Sequence, residues 1–370
     1  MGAAGSAGGG GGRLYTWGNG PDSQLGVGDT VTRSSPVQVG ALTDWAAILF
    51  GQGGTLATKT DGTLWSWGKS LAGANGRSST VTANSPIQVG ALTDWPSAAS
   101  FTQPTISGYK HLQVVKPDGT LWGWGYNYWG AVGTGNRVYY SSPVQIGALT
   151  DWAMTGGGLR GSSAVKTDGT LWTWGSNVTG GLGLGDTVKR SSPTQVGALT
   201  TWATVSGGAN CAHAIKTDGT LWAFGAGVAG VLGLGNSTNY SIPTQVGALT
   251  DWAMVCNGRD VAHAVKTDGT LWGWGYNGTG AIGDGTTAHR NSPVQIGGLT
   301  DWLYVSNTIW ATIALKTDGT LWTWGSNASG QLGQGDGVSR SSPVQVGSGT
   351  TWTTISYSKF ETASPAGAIG

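Results

Sequence analysis

Short apolar runs recur along this chain, separated by glycine-rich turns and without helical periodicity. One unit shows the pattern. Trp252 to Cys256 reads as a strand, followed by a variable loop, AHAVK at 262–266, the turn Thr-Asp-Gly-Thr, and LWGWG at 271–275. Asp-Gly between two apolar runs predicts a tight hairpin, expected here as a type I′ turn with positive φ at both central residues. A glycine-rich loop then leads to PVQI at 293–296, a fourth strand expected to open at its proline. The two rings of LWGWG stand at i and i+2, on one face of the strand. The residue between them is small in every copy, so large rings are expected to nest against small groups of the neighbouring unit.

Three markers repeat seven times each. The aromatic residue before the closing glycine of the LWxWG run falls at Trp17, Trp67, Trp124, Trp174, Phe224, Trp274 and Trp324. The proline of SSPVQVG recurs from Pro36 to Pro343, and the tryptophan after GALTD recurs from Trp45 to Trp352. The period is 50 residues apart from one insertion within Pro96 to Leu112. Such a period means stacked or radially arranged units, and four strands per unit without helices point to an all-β, seven-bladed β-propeller. The first residues supply only a third and fourth strand from Arg13 onward, and the last supply only a first and second, from Trp352 to about Ala363. The two halves are expected to share one blade and close the ring, which removes an exposed edge. Pro365 predicts a short or irregular last strand. Residues 1–12 read as a Gly-rich arm and 13–370 as a single propeller.

Composition narrows the chemistry. Charged residues are 10% of the chain and the formal net charge is +1, with no basic stripe of the kind that nucleic acid requires. No membrane span and no signal peptide are read from the sequence, so a cytoplasmic protein is expected unless the chain is assembled into a larger particle. Cys211 and Cys256 have no partner motif, and no metal or cofactor is expected. Most of the 17 aspartates belong to the repeat: six mark hairpins, five precede the repeated tryptophan, and Asp29, Asp186 and Asp336 share one loop position. The remaining acids, Asp22, Asp260, Asp284 and Glu361, form no paired-carboxylate arrangement, and no nucleophile–histidine constellation is legible. His213 and His263 occupy equivalent positions and are expected to be structural. No catalytic residue is assigned, and an enzyme is not expected.

The segment VKTDGTLWGWGYNGTGAIGDGTTAHRNSPVQIG (265–297) resembles the repeat of the regulator of chromosome condensation family, and the resemblance runs from residue 13 to about 364. It implies a seven-bladed propeller. The family's eukaryotic exchange factor uses a basic tail, whereas residues 1–12 hold no lysine or arginine. The family's plant ultraviolet-B photoreceptor uses a tryptophan–arginine cluster, and the matching region here has Trp310 with no adjacent arginine, which argues against that role. The chain therefore resembles bacterial and phage members, which grip another protein or serve as surface modules.

Strand parity puts the Asp-Gly turns and GALTD connections on one face of the disc and the remaining loops on the other. The first face is nearly invariant between copies; the second varies. Aromatic residues and arginines on the loops of a rigid scaffold are what protein interfaces favour. The candidate binding residues are Tyr109, Lys110, Trp129, Tyr139, Tyr140, Arg160, Arg259, Asp260, Trp310 and Phe360. Low charge and abundant Gly, Thr and Ser suggest a phage or viral virion component (tail, fibre or capsid decoration) whose partners are a protein, neighbouring virion subunits or a host-surface ligand. The alternative is a free bacterial protein-binding or inhibitory propeller.

Overall fold

The computed structural model describes residues 11–51, 53–96, 111–357 and 365–370. These residues form seven antiparallel sheets arranged as blades. Blade 3 is representative, with strands Trp152–Gly157, Gly161–Lys166, Leu171–Gly175 and Arg190–Gln195 in sequential order. Blades 1, 4, 5 and 6 repeat it, opening at Trp45, Trp202, Trp252 and Trp302. Blade 2 shows three strands among the described residues, His111–Val115, Leu121–Gly125 and Tyr140–Gln145. Its insertion lies outside the described residues.

Blade 7 closes the ring as expected. Ala366–Ile369 pairs on one side with Thr354–Tyr357 and on the other with Leu14–Gly18, which in turn pairs with Arg33–Gln38. The strand after Pro365 has four residues, fitting the irregularity read from that proline. Gly12, assigned from the sequence to the arm, is bonded through its backbone to Trp45 of blade 1.

Two local expectations are corrected. The Asp-Gly hairpin is not type I′, because only its glycine has positive φ (Gly269, 78°). Gly269 N–H donates to Lys266 O and Lys266 N–H to Thr270 O, giving a three-residue loop with glycine in the left-handed position. Asp268 Oδ1 then accepts from the Thr270 backbone and hydroxyl, and that hydroxyl accepts from Trp272 Nε1. The same network stands in all six Asp-Gly hairpins, such as those at Asp61 and Asp318. Nor does the proline open the fourth strand. In Arg290–Gln295 it lies inside, on the outer edge strand beside a register shift, where a missing N–H breaks no ladder.

The two rings of LWxWG do different jobs. The second is fully buried between blades, as in Trp174, Phe224 and Trp274. Trp274 packs with Ile215, Leu221 and Val246 of blade 4 and with Val255 and Ala264 of its own. Removing such a ring would cost about 3–5 kcal/mol. Six of the second rings also donate an indole hydrogen bond to a carbonyl of the preceding blade, at 2.8–3.0 Å. Phe224 cannot. The first rings, such as Trp272, are only half-buried.

Candidate binding face

The loops between third and fourth strands are rigid platforms. In four blades an asparagine two residues after the strand sets the loop: Asn127 Oδ1 accepts from Val132 N–H, and Asn177, Asn277 and Asn327 repeat that bond to Leu182, Ile282 and Leu332. Near its end, the loop carries an ion pair with the arginine that opens the fourth strand: Asp186–Arg190 at 2.6 Å, Asp336–Arg340 at 2.8 Å and Asp29–Arg33 at 2.5 Å. The backbone N–H of Val188, and then Arg190, hold the Asp186 carboxyl below its usual range. Asp284, left over in the sequence analysis, joins this set through Arg290 at 2.7 Å.

Blade 2 departs from this pattern. Asn136 replaces the aspartate and Tyr140 the arginine, and Asn136 Nδ2 donates to the Tyr140 hydroxyl at 2.9 Å. On this platform four rings assemble. Tyr126 lies 4.7 Å from Tyr139, 5.4 Å from Trp129 and 6.3 Å from Tyr128 between ring centroids. From the first loop of blade 3, the Arg160 guanidinium stacks 4.9 Å above Trp129. Tyr128 and Tyr139 are exposed, and Trp129 and Arg160 are half-buried. Arg160 has no carboxylate partner among the described residues, and its Nε is buried without a hydrogen-bond acceptor. Such a group is a surface of mutually inclined aromatic rings with one cation that has no carboxylate partner among the described residues, chemistry suited to binding a partner.

The other candidates are distributed differently. Tyr140, adjacent to Tyr139 but on the opposite side of its strand, packs against the core with Trp95 and Trp124 and does not join the cluster. Arg259 and Asp260 pair with each other at 3.3 Å on blade 5, and burial pushes the Asp260 carboxyl up against the opposing pull of Arg259. Trp310 on blade 6 anchors its loop through its carbonyl, which accepts from Ser326 N–H and Thr279 Oγ1. Arg160, Asp260 and Trp310 hold equivalent loop positions on separate blades, so only Arg160 joins the Trp129 group. Tyr109, Lys110 and Phe360 lie outside the described residues.

Sequence reasoning missed Tyr126, the hub of the cluster. Its signal was a tyrosine directly after LWGWG, where most copies have a small or polar residue. Only blade 5 repeats it, with Tyr276 placed 4.8 Å from His289. His213 and His263, expected to be structural, are fully buried. His263 Nε2 lies 2.9 Å from Ile282 O, and burial pushes its pKa down to about 4. Among the described residues, no group of three or more His, Cys, Asp or Glu could hold a metal ion, and no helix is long and apolar enough to cross a membrane.

Comparison with known proteins places this architecture. Among solved structures the chain is similar to human WBSCR16, with TM-score 0.81 and 19% identity over 97% of this chain and 98% of that one. It is similar to yeast RCC1 (Prp20) in complex with Kap60, with TM-score 0.82 and 16% identity over 97% and 89% of the two chains. These likenesses show the fold. A 47-residue stretch is 43% identical to the ultraviolet-B receptor UVR8 of Arabidopsis thaliana, covering 13% of this chain and 11% of that relative. The model of the Regulator of chromosome condensation (RCC1) repeat matches residues 11–58, 118–162, 168–215, 218–265, 268–312 and 318–362. With the repeat matched over most of its length and arranged as a closed seven-bladed ring, this chain belongs to the RCC1 repeat family.

Proposed function

We propose that this protein is a non-enzymatic binding module that grips a protein partner with its variable face, centred on the Trp129–Arg160 stack. The observation that carries this reading is the assembly, from loops of two blades, of exposed rings and a guanidinium with no carboxylate partner among the described residues, where four other platforms carry self-contained ion pairs. Tryptophan, tyrosine and arginine dominate the binding energy of protein interfaces, and a rigid platform limits the entropy lost on docking. Similar propellers, described with Kap60 and with Gsp1p and histones, support a protein-binding role. The test is affinity capture from the source with wild type and with Trp129→Ala/Arg160→Ala. A partner lost from the double variant, while Leu249→Ala on the opposite face retains it, supports the reading. Equal retention by both variants overturns it.

The setting we propose is a virion or surface assembly, with the variable face outward. Its support is compositional: charged residues are 10% of a chain rich in Gly, Thr and Ser. Co-sedimentation with particles tests it, and a protein that stays free and monomeric in its source overturns it.

A further inference from the structure

The Asp-Gly face carries a second repeated construction. Six lysines, at or just after the end of a second strand, place Nζ between the repeated tryptophan that follows GALTD and the first tryptophan of the third strand. Lys266 Nζ lies 5.2 Å from the Trp252 ring and 4.4 Å from the Trp272 ring. In five units the aspartate preceding the repeated tryptophan completes the set, with Nζ–carboxylate distances of 2.8–3.4 Å for Lys59, Lys116, Lys166, Lys266 and Lys316. These lysine side chains are almost fully buried, whereas their carboxylate partners are 39–56% exposed. The carboxylate position therefore opens to solvent.

Blade 4 lacks that carboxylate. Thr201, an exposed residue, stands in place of the aspartate, and Lys216 has no ion pair among the described residues. Its Nζ has closed to 3.7 Å from the Trp222 ring, against 4.3–4.6 Å for the corresponding ring in the other five. The neighbouring Asp218 does not fill the gap. Its carboxylate accepts from Thr220 N–H and Oγ1, and every sister unit has the same aspartate yet still pairs its lysine with a second carboxylate. Lys216 is half-buried where its five sisters are buried; an ammonium held against two indole faces without its anion is electrostatically incomplete.

We propose that Lys216, Trp202, Trp222 and Thr201 form a receptor for one carboxylate supplied from outside the chain. The five sister units show the geometry the ligand would adopt, and the exposed Thr201 leaves that side of Lys216 without a carboxylate. The site lies on the face opposite the Trp129–Arg160 stack, so it stands independently of the function proposed above. The carboxylate comes either from an acidic side chain of a protein or from a small free acid.

Indole ¹⁵N–¹H resonances of the full chain, assigned by Trp→Phe substitution, report the site. Sodium acetate and a blocked aspartyl peptide are titrated separately, each against sodium chloride at matched ionic strength. A saturable shift confined to Trp202 and Trp222 is expected. Thr201→Asp should abolish it by supplying an internal carboxylate. Asp251→Thr, which copies the natural blade 4 arrangement, should create a second responsive pair at Trp252 and Trp272. Response to the peptide but not to acetate assigns the carboxylate to a protein partner; an equal response assigns it to a small acid. The proposal is overturned if neither probe shifts this pair saturably, if Thr201→Asp responds like wild type, or if Asp251→Thr adds no second pair.

Discussion

Trp174→Phe and Trp274→Phe delete the same atoms from equivalent buried sites, yet they should differ in cost. Each indole donates to the preceding blade, Trp174 to Ala131 O at 2.9 Å and Trp274 to Val231 O at 2.8 Å. Ala131 O also accepts from Gln113 Nε2 and Ser162 Oγ, both at 2.8 Å, so it keeps two donors when Trp174 is replaced. In the Trp274 interface Ala262 stands where Ser162 does, and Val231 O has no other donor among the described residues. Losing a bond whose acceptor stays satisfied costs about 1 kcal/mol, whereas leaving a buried acceptor without a donor costs a further ~1–3 kcal/mol. The packing loss from ring to smaller ring is common to both. Trp274→Phe should therefore be less stable than Trp174→Phe by about 1–3 kcal/mol. Urea unfolding measures this as a difference in midpoint at unchanged slope. Equal midpoints, or a lower midpoint for Trp174→Phe, would refute the reasoning that acceptor satisfaction sets the strength of each blade interface.

Other consequences concern acid, glycine and closure. Burial pushes His111 down to about 3 and both His213 and His263 down to about 4, so the unfolded chain binds more protons than the folded one once pH falls below the ordinary histidine range. Stability should be fully present above that range and lost as pH falls through it, by about 2 kcal/mol per histidine between about pH 7 and about pH 5. Urea midpoints across that window check it, and His263→Gln should remove one share of the slope. Gly269→Ala should destabilise far more than Gly247→Ala, read by the same titration. Both have positive φ, which costs a side chain about 1–2 kcal/mol, but a Cβ at Gly269 would meet Thr300 O at 2.1 Å and one at Gly247 meets nothing within 4 Å. Truncation after Pro365 removes Ala366–Ile369 from between Thr354–Tyr357 and Leu14–Gly18; the product should aggregate with an open seventh blade, seen by light scattering.

The fold was legible because three markers of different chemistry keep one period, and because a repeat that must close into a ring constrains even its split blade. Hairpin type was less legible. Thr-Asp-Gly-Thr suits a two-residue or a three-residue loop, and the pairing of Lys266 with Thr270 decides between them. The variable face was legible as a set of positions where copies differ, but not as a site. Which loops meet depends on how adjacent blades are placed, and that brings Arg160 over Trp129 while leaving Asp260 and Trp310 apart from it. Side-chain alternation, plain in regular strands, was missed at a strand's first residue, so Tyr140 was grouped with Tyr139. The lysine–tryptophan construction was hidden by its own regularity, since invariance between copies read as turn and packing alone.

A photo-crosslinking residue placed at Tyr139, and separately at Leu249 on the opposite face, tests the central claim most directly when each protein is irradiated in its native source. Both positions are exposed, so neither replacement should disturb the core. The account predicts a discrete protein adduct from position 139 that disappears when Arg160→Ala is added. Adducts formed from position 249 alone would contradict it.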